Sequence, residues 1–353
     1  NTISTNFYNN YFLQFLYISL NENKQMLSKI LVCIIILTSI FSCKKETING
    51  RYKTVSKIIV GSGPEDILFD KNNNRILVSC NERRDGKPEL GEIMQINIAT
   101  DESIVLSRIN FPAIPFNPHG FDLQTINGIH YLFVINHYRD AASTNSIIQF
   151  KINASNLEFI KEFKNALLIS PNDLTVLPNG SFYFSNDKNS SNILELLTNP
   201  NAGSVGFCDG HSTWKKVDSL IGFPNGLYNE NNKLYLATSR NHALYKYEII
   251  NDGTLQNKST LSTINGMDNL TDFGDELLVS VHPDEVKFAL LSYIPTILSP
   301  SITYAINKQT GKSRIVFKDD GKLISGSSTA LIIGDDLYLA QVFDDFLLKV
   351  HDY

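Results

Sequence analysis

The chain contains 353 residues, of which 42% are hydrophobic, 10% aromatic and 19% charged, a composition that is ordinary for a globular protein. All-β folds of this length commonly form one domain, so the length does not require two. The formal net charge is −5, the sequence pI is about 5.8 and no basic block is present, so we expect no nucleic-acid partner.

The N-terminal part of the chain carries the features of a secretion signal. Met26 and Lys29 begin a basic segment, and residues 30–40 form an apolar run that is too short to span a bilayer comfortably. The run ends in Ile40-Phe41-Ser42-Cys43, which resembles a bacterial lipobox, in which a small residue precedes a cysteine that is cleaved and acylated. The alternative is a signal peptide with a coincidental cysteine.

The lipobox resemblance divides the chain into four parts. We expect residues 1–25 to precede the true start, 26–42 to be a lipoprotein signal peptide, 43–50 to be a tether and 51–353 to form the folded domain. The mature protein then begins at Cys43 and is anchored by lipid in a bacterial cell envelope, on the periplasmic or outer-membrane face.

A polar turn followed by an apolar strand recurs through the rest of the chain. The turns are Gly63–Ile67, Phe116–Asp122, Ser170–Leu174, Phe223–Leu227, Gly266–Leu270 and Ser325–Thr329. From Glu65, equivalent positions follow after 54, 53, 53, 43 and 59 residues, at His119, Asn172, Asn225, Asp268 and Ser327. A period of about 50 residues is typical of a repeat architecture.

Each period contains further short strands rich in Ile, Val, Leu, Tyr and Phe, bounded by Asn, Gly and Asp turns. The predicted second strands are Arg75–Cys80, His130–Asn136, Ser181–Ser185, Lys233–Thr238, Glu276–Val281 and Asp336–Ala340. The predicted third strands are Ile93–Ile98, Ile147–Ile152, Ile193–Leu197, Leu244–Ile249, Ile302–Ile306 and Leu347–His351. The predicted fourth strands are Ser103–Ile109, Leu157–Phe163, Trp214–Leu220, Leu255–Leu261 and Ser313–Lys318.

The last repeat lacks a fourth strand, and one strand, Arg51–Val60, is left over before the first repeat. Pairing this strand with the last repeat would close a ring and leave only short, protected edges. We therefore predict an all-β six-bladed β-propeller with four-stranded blades, closed by the N-terminal strand. The alternative is an open stack of repeats, whose first and last members would lack caps.

Two repeats carry extra length, Thr198–Ser212 and His282–Pro300, and the second contains a possible short helix over Glu285–Ile294. In a propeller such insertions fall in loops on one face, where they can shape an entrance. The alternative is that both insertions are surface loops that do not shape an entrance.

The turn before the first strand of each propeller blade lies at one end of the central channel. Here these turns supply Glu65, Asp66, His119, Asn172, Asp173, Asn225, Asp268 and Asn269. Buried carboxylates gathered at one point are costly without a cation, and about six to eight oxygen ligands favour Ca²⁺ over Mg²⁺. The alternative is that each residue merely serves ordinary β-turn chemistry.

From about Lys57 to its end, the chain resembles the serum paraoxonase/arylesterase family of calcium-dependent lactonases and aryl esterases. The motifs that carry the resemblance are Gly63–Ile67, Phe116–Phe121, Val134–His137, Pro171–Asp173, Ser185–Asp187, Asn225–Gly226, Asp268–Asn269, Val281–Pro283 and Gly326–Thr329. The resemblance implies a six-bladed propeller with two calcium ions in its central tunnel.

By residue match, the resemblance also implies the ligands of both ions and the residues that assist hydrolysis. The upper, catalytic ion would be bound by Glu65, Asn172, Asn225, Asp268 and Asn269. The lower, structural ion would be bound by Asp66, Asp173 and the carbonyl of Phe121. His119 matches the proposed general base, His137 the second member of the histidine dyad, and His282 a further histidine at the wall of the site.

Two departures from the family pattern are visible. The C-terminal segment lacks the cysteine of the family's ring-closing disulfide, so closure must rest on strand pairing alone. Lys188 stands where many relatives have a histidine. Cys80 and Cys208 remain after the predicted processing and could pair in an oxidising compartment.

These observations predict a calcium-dependent hydrolase of lactones and aryl or carboxylic esters, in which a histidine activates water. No Gly-x-Ser-x-Gly motif is present, which argues against an acyl-enzyme on serine. The alternatives are a sugar lactonase of the gluconolactonase type and a non-catalytic, calcium-stabilised propeller that binds a ligand. The expected partners are a small lactone or ester and, through Cys43, a membrane.

Overall fold

The repeats of the sequence form six blades of a β-propeller in the computed structural model, which describes residues 54–84, 87, 91–138, 145–188 and 199–353. The first strand of each blade contacts the first strands of its two neighbours, and the sixth contacts the first, so the inner strands form a closed ring. The predicted signal peptide, tether and lipidation site at Cys43 lie outside the described residues.

The first three blades follow one another along the chain. Blade 1 contains β2 (Pro64–Asp70), β3 (Arg75–Cys80), β4 (Glu92–Asn97) and β5 (Ser103–Val105). Blade 2 contains β6 (Ser107–Ile109), β7 (Pro118–Ile126), β8 (Ile129–Asn136), β9 (Ser146–Ile152) and β10 (Asn156–Lys164). Blade 3 contains β11 (Pro171–Val176), β12 (Phe182–Asn186), β13 (Gly203–Cys208) and β14 (Trp214–Ile221).

The other three blades complete the ring. Blade 4 contains β15 (Pro224–Glu230), β16 (Lys233–Thr238), β17 (Ala243–Ile249) and β18 (Leu255–Thr263). Blade 5 contains β19 (Met267–Phe273), β20 (Glu276–Val281), β21 (Ser301–Asn307) and β22 (Ser313–Asp319). Blade 6 contains β23 (Ser327–Ile333), β24 (Asp336–Gln341), β25 (Phe346–His351) and, at its outer edge, β1 (Thr54–Ile59).

The N-terminal strand closes the ring, as the sequence predicts. β1 pairs antiparallel with β25 from Thr54 opposite His351 to Ile59 opposite Phe346. Ile58 of β1 is buried in the core shared by blades 6 and 1. Cys80 and Cys208 are both buried free thiols, so the described residues contain no disulfide between them.

The hydrophobic core is divided among the six blade interfaces, each of which holds one cluster of buried side chains. The cluster between blades 2 and 3, for example, joins Phe133 and Phe163 to Phe182. Because each blade packs against a neighbour through both faces, its second strand is buried along almost its whole length, as in Arg75–Cys80 and Lys233–Thr238.

One predicted strand, Ser103–Ile109, is divided between two blades. Ser103–Val105 pairs with β4 of blade 1, whereas Ser107–Ile109 pairs in parallel with β10 of blade 2. Leu106 lies between them with 1% of its surface exposed, and its N–H donates to the carbonyl of Ile93 at 2.9 Å. Burial of Leu106 in the core between the two blades directs the chain across to its neighbour.

The third strand of blade 3 was predicted wrongly. It is β13, Gly203–Cys208, which the sequence pattern assigns to an insertion, whereas Ile193–Leu197 lies outside the described residues. Gly206 explains the error, because glycine disfavours a strand assignment yet is required here. A Cβ atom on Gly206 would lie 2.1 Å from the ring of Phe184, so the strand can pack on that ring only without a side chain.

The second insertion contains the predicted helix, here named α1, over Glu285–Leu291. Asp284 caps it by accepting a hydrogen bond from the N–H of Lys287 at 3.0 Å. Leu291 and Phe288 pack against Val342 and so hold the helix on blade 6. Within the part of the chain that the structure describes, no helix is long and apolar enough to cross a membrane.

Candidate active site

A β-bulge at the start of every inner strand directs side chains into the tunnel. In each blade the pairing of the first and second strands shifts register directly after the first residue, at Pro64, Pro118, Pro171, Pro224, Met267 and Ser327. A bulge places an extra residue on one strand and re-aims its neighbours, a device common beside active sites. Two successive residues of every blade thereby occupy two stacked rings around the axis.

The two rings contain the predicted site residues. The upper ring is Glu65, His119, Asn172, Asn225, Asp268 and Ser328. The lower ring is Asp66, Gly120, Asp173, Gly226, Asn269 and Thr329. The register of blade 6 corrects one prediction, because Ser327 pairs with Gln341 as Pro64 pairs with Cys80, and the ring position therefore belongs to Ser328.

Five members of the upper ring, Glu65, His119, Asn172, Asn225 and Asp268, line a cavity of about 320 Å³ at one end of the tunnel. The walls beyond them are largely apolar and include Phe223, Phe288 and Val342. A second cavity, of about 410 Å³, opens below the lower ring and is lined by Asp66, Phe121 and Asp173. The structure therefore brings the two predicted ligand sets to adjacent levels of one tunnel.

Four oxygen atoms of the predicted upper ligand set are buried and have no hydrogen-bond partner among the described residues: Oε2 of Glu65 and the Oδ1 atoms of Asn172, Asn225 and Asn269. Buried polar atoms are nearly always paired, because an unsatisfied one costs about 1–3 kcal/mol. Glu65, Asn172 and Asn225 line the same cavity and Asn269 is bonded to Glu65, so these oxygens form a donor set that suits a hard cation.

The orientation of two carboxamides follows from their neighbours. The Nδ2 atom of Asn269 donates to Oε1 of Glu65 at 2.7 Å, and the side chain of Asn225 is hydrogen-bonded to Asp268. An ionised carboxylate can only accept, so the amide nitrogens must face the carboxylates and the amide oxygens must face away. Glu65 and Asp268 therefore direct the two Oδ1 atoms as well as providing negative charge.

Burial dominates the electrostatics of both rings. It raises the pKa of Glu65 and of Asp268, partly offset at Glu65 by the positive charge of Arg83. It raises the pKa of Asp66 and Asp173 well above the ordinary value, and the negative charge of Asp173 adds to the effect at Asp66. A bound cation would offset this cost of burying charge, since an opposite charge favours the ionised carboxylates.

The lower site differs from the upper one in how its oxygens are satisfied. Asp66 accepts from the N–H of Phe121 at 3.2 Å, and Asp173 accepts from the N–H groups of Leu174 and Leu227 at 2.7 and 2.6 Å. These bonds join each aspartate to the inner strand of the next blade. The argument for a cation at the lower site rests on the carboxylates of Asp66 and Asp173, whose negative charges repel each other, and not on unpaired oxygens.

His119 and His137 meet beside the upper ring, with their ring centroids 4.9 Å apart. Nε2 of His119 lies 3.8 Å from Oε2 of Glu65. Burial lowers the pKa of both imidazoles well below the usual value, and the positive charges of Arg83 and Lys188 act in the same direction. Both rings are therefore neutral at neutral pH and can accept a proton.

The tautomer of His137 is fixed by its surroundings. Its ring is hydrogen-bonded to the backbone carbonyl of Pro171, and its Nε2 atom has no partner among the described residues. The bond to the carbonyl must therefore come from Nδ1–H, which leaves the lone pair on Nε2.

His282 supports an upper ligand directly. Its Nε2 atom lies 2.7 Å from Oδ2 of Asp268, and its ring stacks on Phe288 of α1 with centroids 3.6 Å apart. The second insertion therefore forms part of the entrance. Four of its residues, His282, Glu285, Phe288 and Ala289, line the upper cavity.

A further ring of residues, which sequence reasoning identified only in part, follows the second strand of each blade: Asn81, His137, Asp187, Ser239, His282 and Val342. In every blade the N–H of this residue donates to a carbonyl at the start of the inner strand. Buried atoms of Asn81, Asp187, His137 and His282 lack partners within the described ranges. The constant offset from the second strand is the sequence signal that could have identified Asn81 and Asp187.

In the described part of the chain, no three or more His, Cys, Asp or Glu residues are grouped so that they could share a metal ion. The predicted upper set contains only two carboxylates, Glu65 and Asp268, and its other oxygens come from three asparagines. Carboxamide oxygens are nonetheless ordinary ligands of hard cations.

Residues 83–348 match the family model described as Arylesterase. The chain belongs to the arylesterase family. Among relatives of this arylesterase-family protein, serum paraoxonase/lactonase 3 of Homo sapiens is 26% identical over 250 residues, which cover 65% of this chain and 67% of the relative. Serum paraoxonase/arylesterase 2 of Gallus gallus is 26% identical over 295 residues, with 80% and 77% covered. The family expected from the sequence motifs is thereby confirmed.

Solved structures of other proteins are similar to this fold. A luciferin-regenerating enzyme has a TM-score of 0.57 at 13% identity and covers 84% of this chain and 95% of its own. A gluconolactonase from Xanthomonas campestris has a TM-score of 0.55 at 13% identity, with 84% and 89% covered. At such identities the likeness shows the propeller fold alone.

Proposed function

We propose that this protein is a calcium-dependent hydrolase of lactones and aryl esters in which water is the nucleophile. The observation that carries the proposal is the set of four unpaired buried oxygens beside two neutral histidines at the cavity at one end of the tunnel. Membership of the arylesterase family supports the class of reaction. The names of the paraoxonase relatives support lactones and aryl esters as the substrate class.

We assign the upper ion to Glu65, Asn172, Asn225, Asp268 and Asn269, and the lower ion to Asp66, Asp173 and the carbonyl of Phe121. A calcium ion at the upper position supplies a Lewis acid that polarises a carbonyl oxygen and stabilises negative charge on it. The unpaired oxygens support the upper assignment, and the two neighbouring carboxylates of Asp66 and Asp173 support the lower one.

The histidines supply the proton chemistry. Water is a weak nucleophile at neutral pH, so a base within reach must take its proton. His119 is neutral and lies in the upper ring, where it lines the cavity. His137, whose Nε2 lone pair has no partner in the described structure, can receive the proton from His119 or hold that ring in place.

The shape and chemistry of the cavity favour an aryl or aliphatic substrate over a sugar lactone. Its volume of about 320 Å³ suits a small molecule. Phe223, Phe288 and Val342 offer apolar surface that suits an aryl or acyl group, beside the polar side chains of Ser239, Arg240 and Glu285. Gluconolactone hydrolysis is therefore the less favoured alternative.

A substrate panel tests the proposal. The protein should be assayed with phenyl acetate, aliphatic γ- and δ-lactones, acyl-homoserine lactones and gluconolactone, each with calcium and with excess chelator. We expect turnover of the first three classes that chelation abolishes. Preference for gluconolactone would favour a sugar lactonase, and absence of turnover on all substrates would favour a non-catalytic ligand-binding propeller.

We also propose that the mature protein is anchored in a bacterial cell envelope through lipid on Cys43. The support is the basic segment, the short apolar run and the lipobox-like residues before the cysteine. Growth with radiolabelled palmitate should label the protein, and the Cys43→Ala variant should remain unlabelled. Labelling of that variant would contradict the proposal.

A further inference from the structure

Thr329 occupies the lower ring in blade 6 and contacts residues of both predicted ion sites. It is completely buried. Its Oγ1 atom lies 2.9 Å from Nδ2 of Asn269, 2.9 Å from the carbonyl oxygen of Glu65 and 3.2 Å from Oδ1 of Asp66. Neither the repeat pattern nor the family resemblance assigns it a role.

The contact with Asn269 has a defined direction. Nδ2 of Asn269 carries two hydrogens, one of which goes to Glu65 and the other to Thr329. The Thr329 hydroxyl, having accepted from Asn269, donates its own hydrogen to the Glu65 carbonyl or to Asp66. With both N–H groups engaged, the carboxamide is held so that Oδ1 is the free end, which is the unpaired oxygen of the upper site.

We propose that Thr329 is a positioning residue for the upper cation. It holds the Asn269 carboxamide in the orientation that presents Oδ1, and it ties that ligand to Asp66 of the lower site. This inference rests on the proposed function, because it assigns Thr329 a role toward the proposed calcium ion. It concerns a residue that does not itself touch substrate.

The test is calcium titration of the chelator-treated protein by isothermal calorimetry, for the wild type and four variants. Thr329→Val removes the hydroxyl at nearly constant volume, and Thr329→Ser restores it. Asn172→Ala marks which binding event belongs to the upper site. Thr303→Val is the matched control, because Thr303 is equally buried and its hydroxyl has no partner among the described residues.

We expect Thr329→Val to weaken the upper binding event about tenfold, because a buried amide hydrogen loses its acceptor, and to weaken the lower event less. Thr329→Ser should bind within a few-fold of wild type, and Thr303→Val should be unchanged. Wild-type upper-site affinity in Thr329→Val would overturn the inference. So would failure of the serine to restore binding, a larger effect on the lower event, or an equal loss in Thr303→Val.

Failure of the proposed function would be recognised separately. If the wild-type protein takes up no calcium, the calcium assignment falls and the role of Thr329 falls with it. If the wild type binds calcium and Thr329→Val binds it equally well, only the role of Thr329 is wrong.

Discussion

The imidazole of His282 links the second insertion to the upper ring, because its Nε2 atom lies 2.7 Å from Oδ2 of Asp268 while Phe288 of α1 stacks on its face. Both His282 and Asp268 are about 5% exposed, so this hydrogen bond is shielded from water. The predicted ligand Asp268 is therefore hydrogen-bonded to His282, whose ring packs against the insertion helix α1.

Replacement of His282 by leucine should weaken the upper site. The variant removes the imidazole donor of the buried Asp268 carboxylate and leaves Asn225 as its remaining partner, and we expect calcium affinity and kcat/KM to fall about tenfold or more. His282→Gln can keep a donor toward Asp268 and should fall less. Calcium titration and phenyl acetate hydrolysis measure the two effects, and a leucine variant that matches the wild type in both would contradict this role.

Replacement of His119 by glutamine should lower kcat by roughly 10²–10⁴-fold, the usual range for a lost general base, with calcium still bound. His130→Gln is the control and should leave kcat unchanged. The Nε2 atom of His130 lies 3.3 Å from Oδ1 of Asp70, and His130 does not line the upper cavity. Steady-state kinetics with the lactone that the wild type hydrolyses fastest measure kcat for both variants. A His119→Gln enzyme within a few-fold of wild type would mean that another group activates the water.

Calcium removal should abolish activity and lower the melting temperature, because ions bound only by the folded state stabilise it, by about 2.7 kcal/mol per ion at a concentration 100 times Kd. Asn172→Ala should cost activity more than stability, because its unpaired oxygen serves only the upper site. Asp173→Ala should cost stability more, because its carboxylate also holds two backbone N–H groups across blades 3 and 4. Full activity after exhaustive chelation would rule out the metal assignment.

Low pH should remove the contribution of Asp70 to the stability of the fold. Asp70 is completely buried and bonded to Arg75 at 2.8 Å. Burial alone raises its pKa, but hydrogen bonds from Asn73 and Arg75 outweigh burial and lower it. A carboxyl group with a lowered folded-state pKa stabilises the protein above its unfolded pKa of about 3.9 and ceases to do so as the pH falls through the folded value.

Asp70→Asn should therefore melt below the wild type at neutral pH, and the difference in melting temperature should narrow as the pH falls below the unfolded pKa of about 3.9. Thermal melts of both proteins from neutral to low pH measure it. A difference that stays constant as the pH falls would show that the charge of Asp70 does not contribute.

Sequence alone determined the repeat, the blades and most of the ring residues. A short strand rich in apolar residues and a turn of Asn, Pro and Gly are encoded within a few neighbouring positions, so their recurrence can be read directly. The unpaired strand before the first repeat and the missing one after the last likewise predicted the pairing of β1 with β25. Glu65, His119 and Asn172 were identified because they share one offset from such a turn.

Tertiary structure alone decided register, partners and orientation. Ser328 rather than Ser327 occupies the ring because β23 and β24 set that register, and a shift of one residue changes which side chain faces inward. Gly206 lies in a strand because Phe184 fills the space of its missing side chain. The bond from Asn269 to Glu65 joins residues 204 positions apart, and only closure of the ring brings such groups together and directs the carboxamide oxygen into the tunnel.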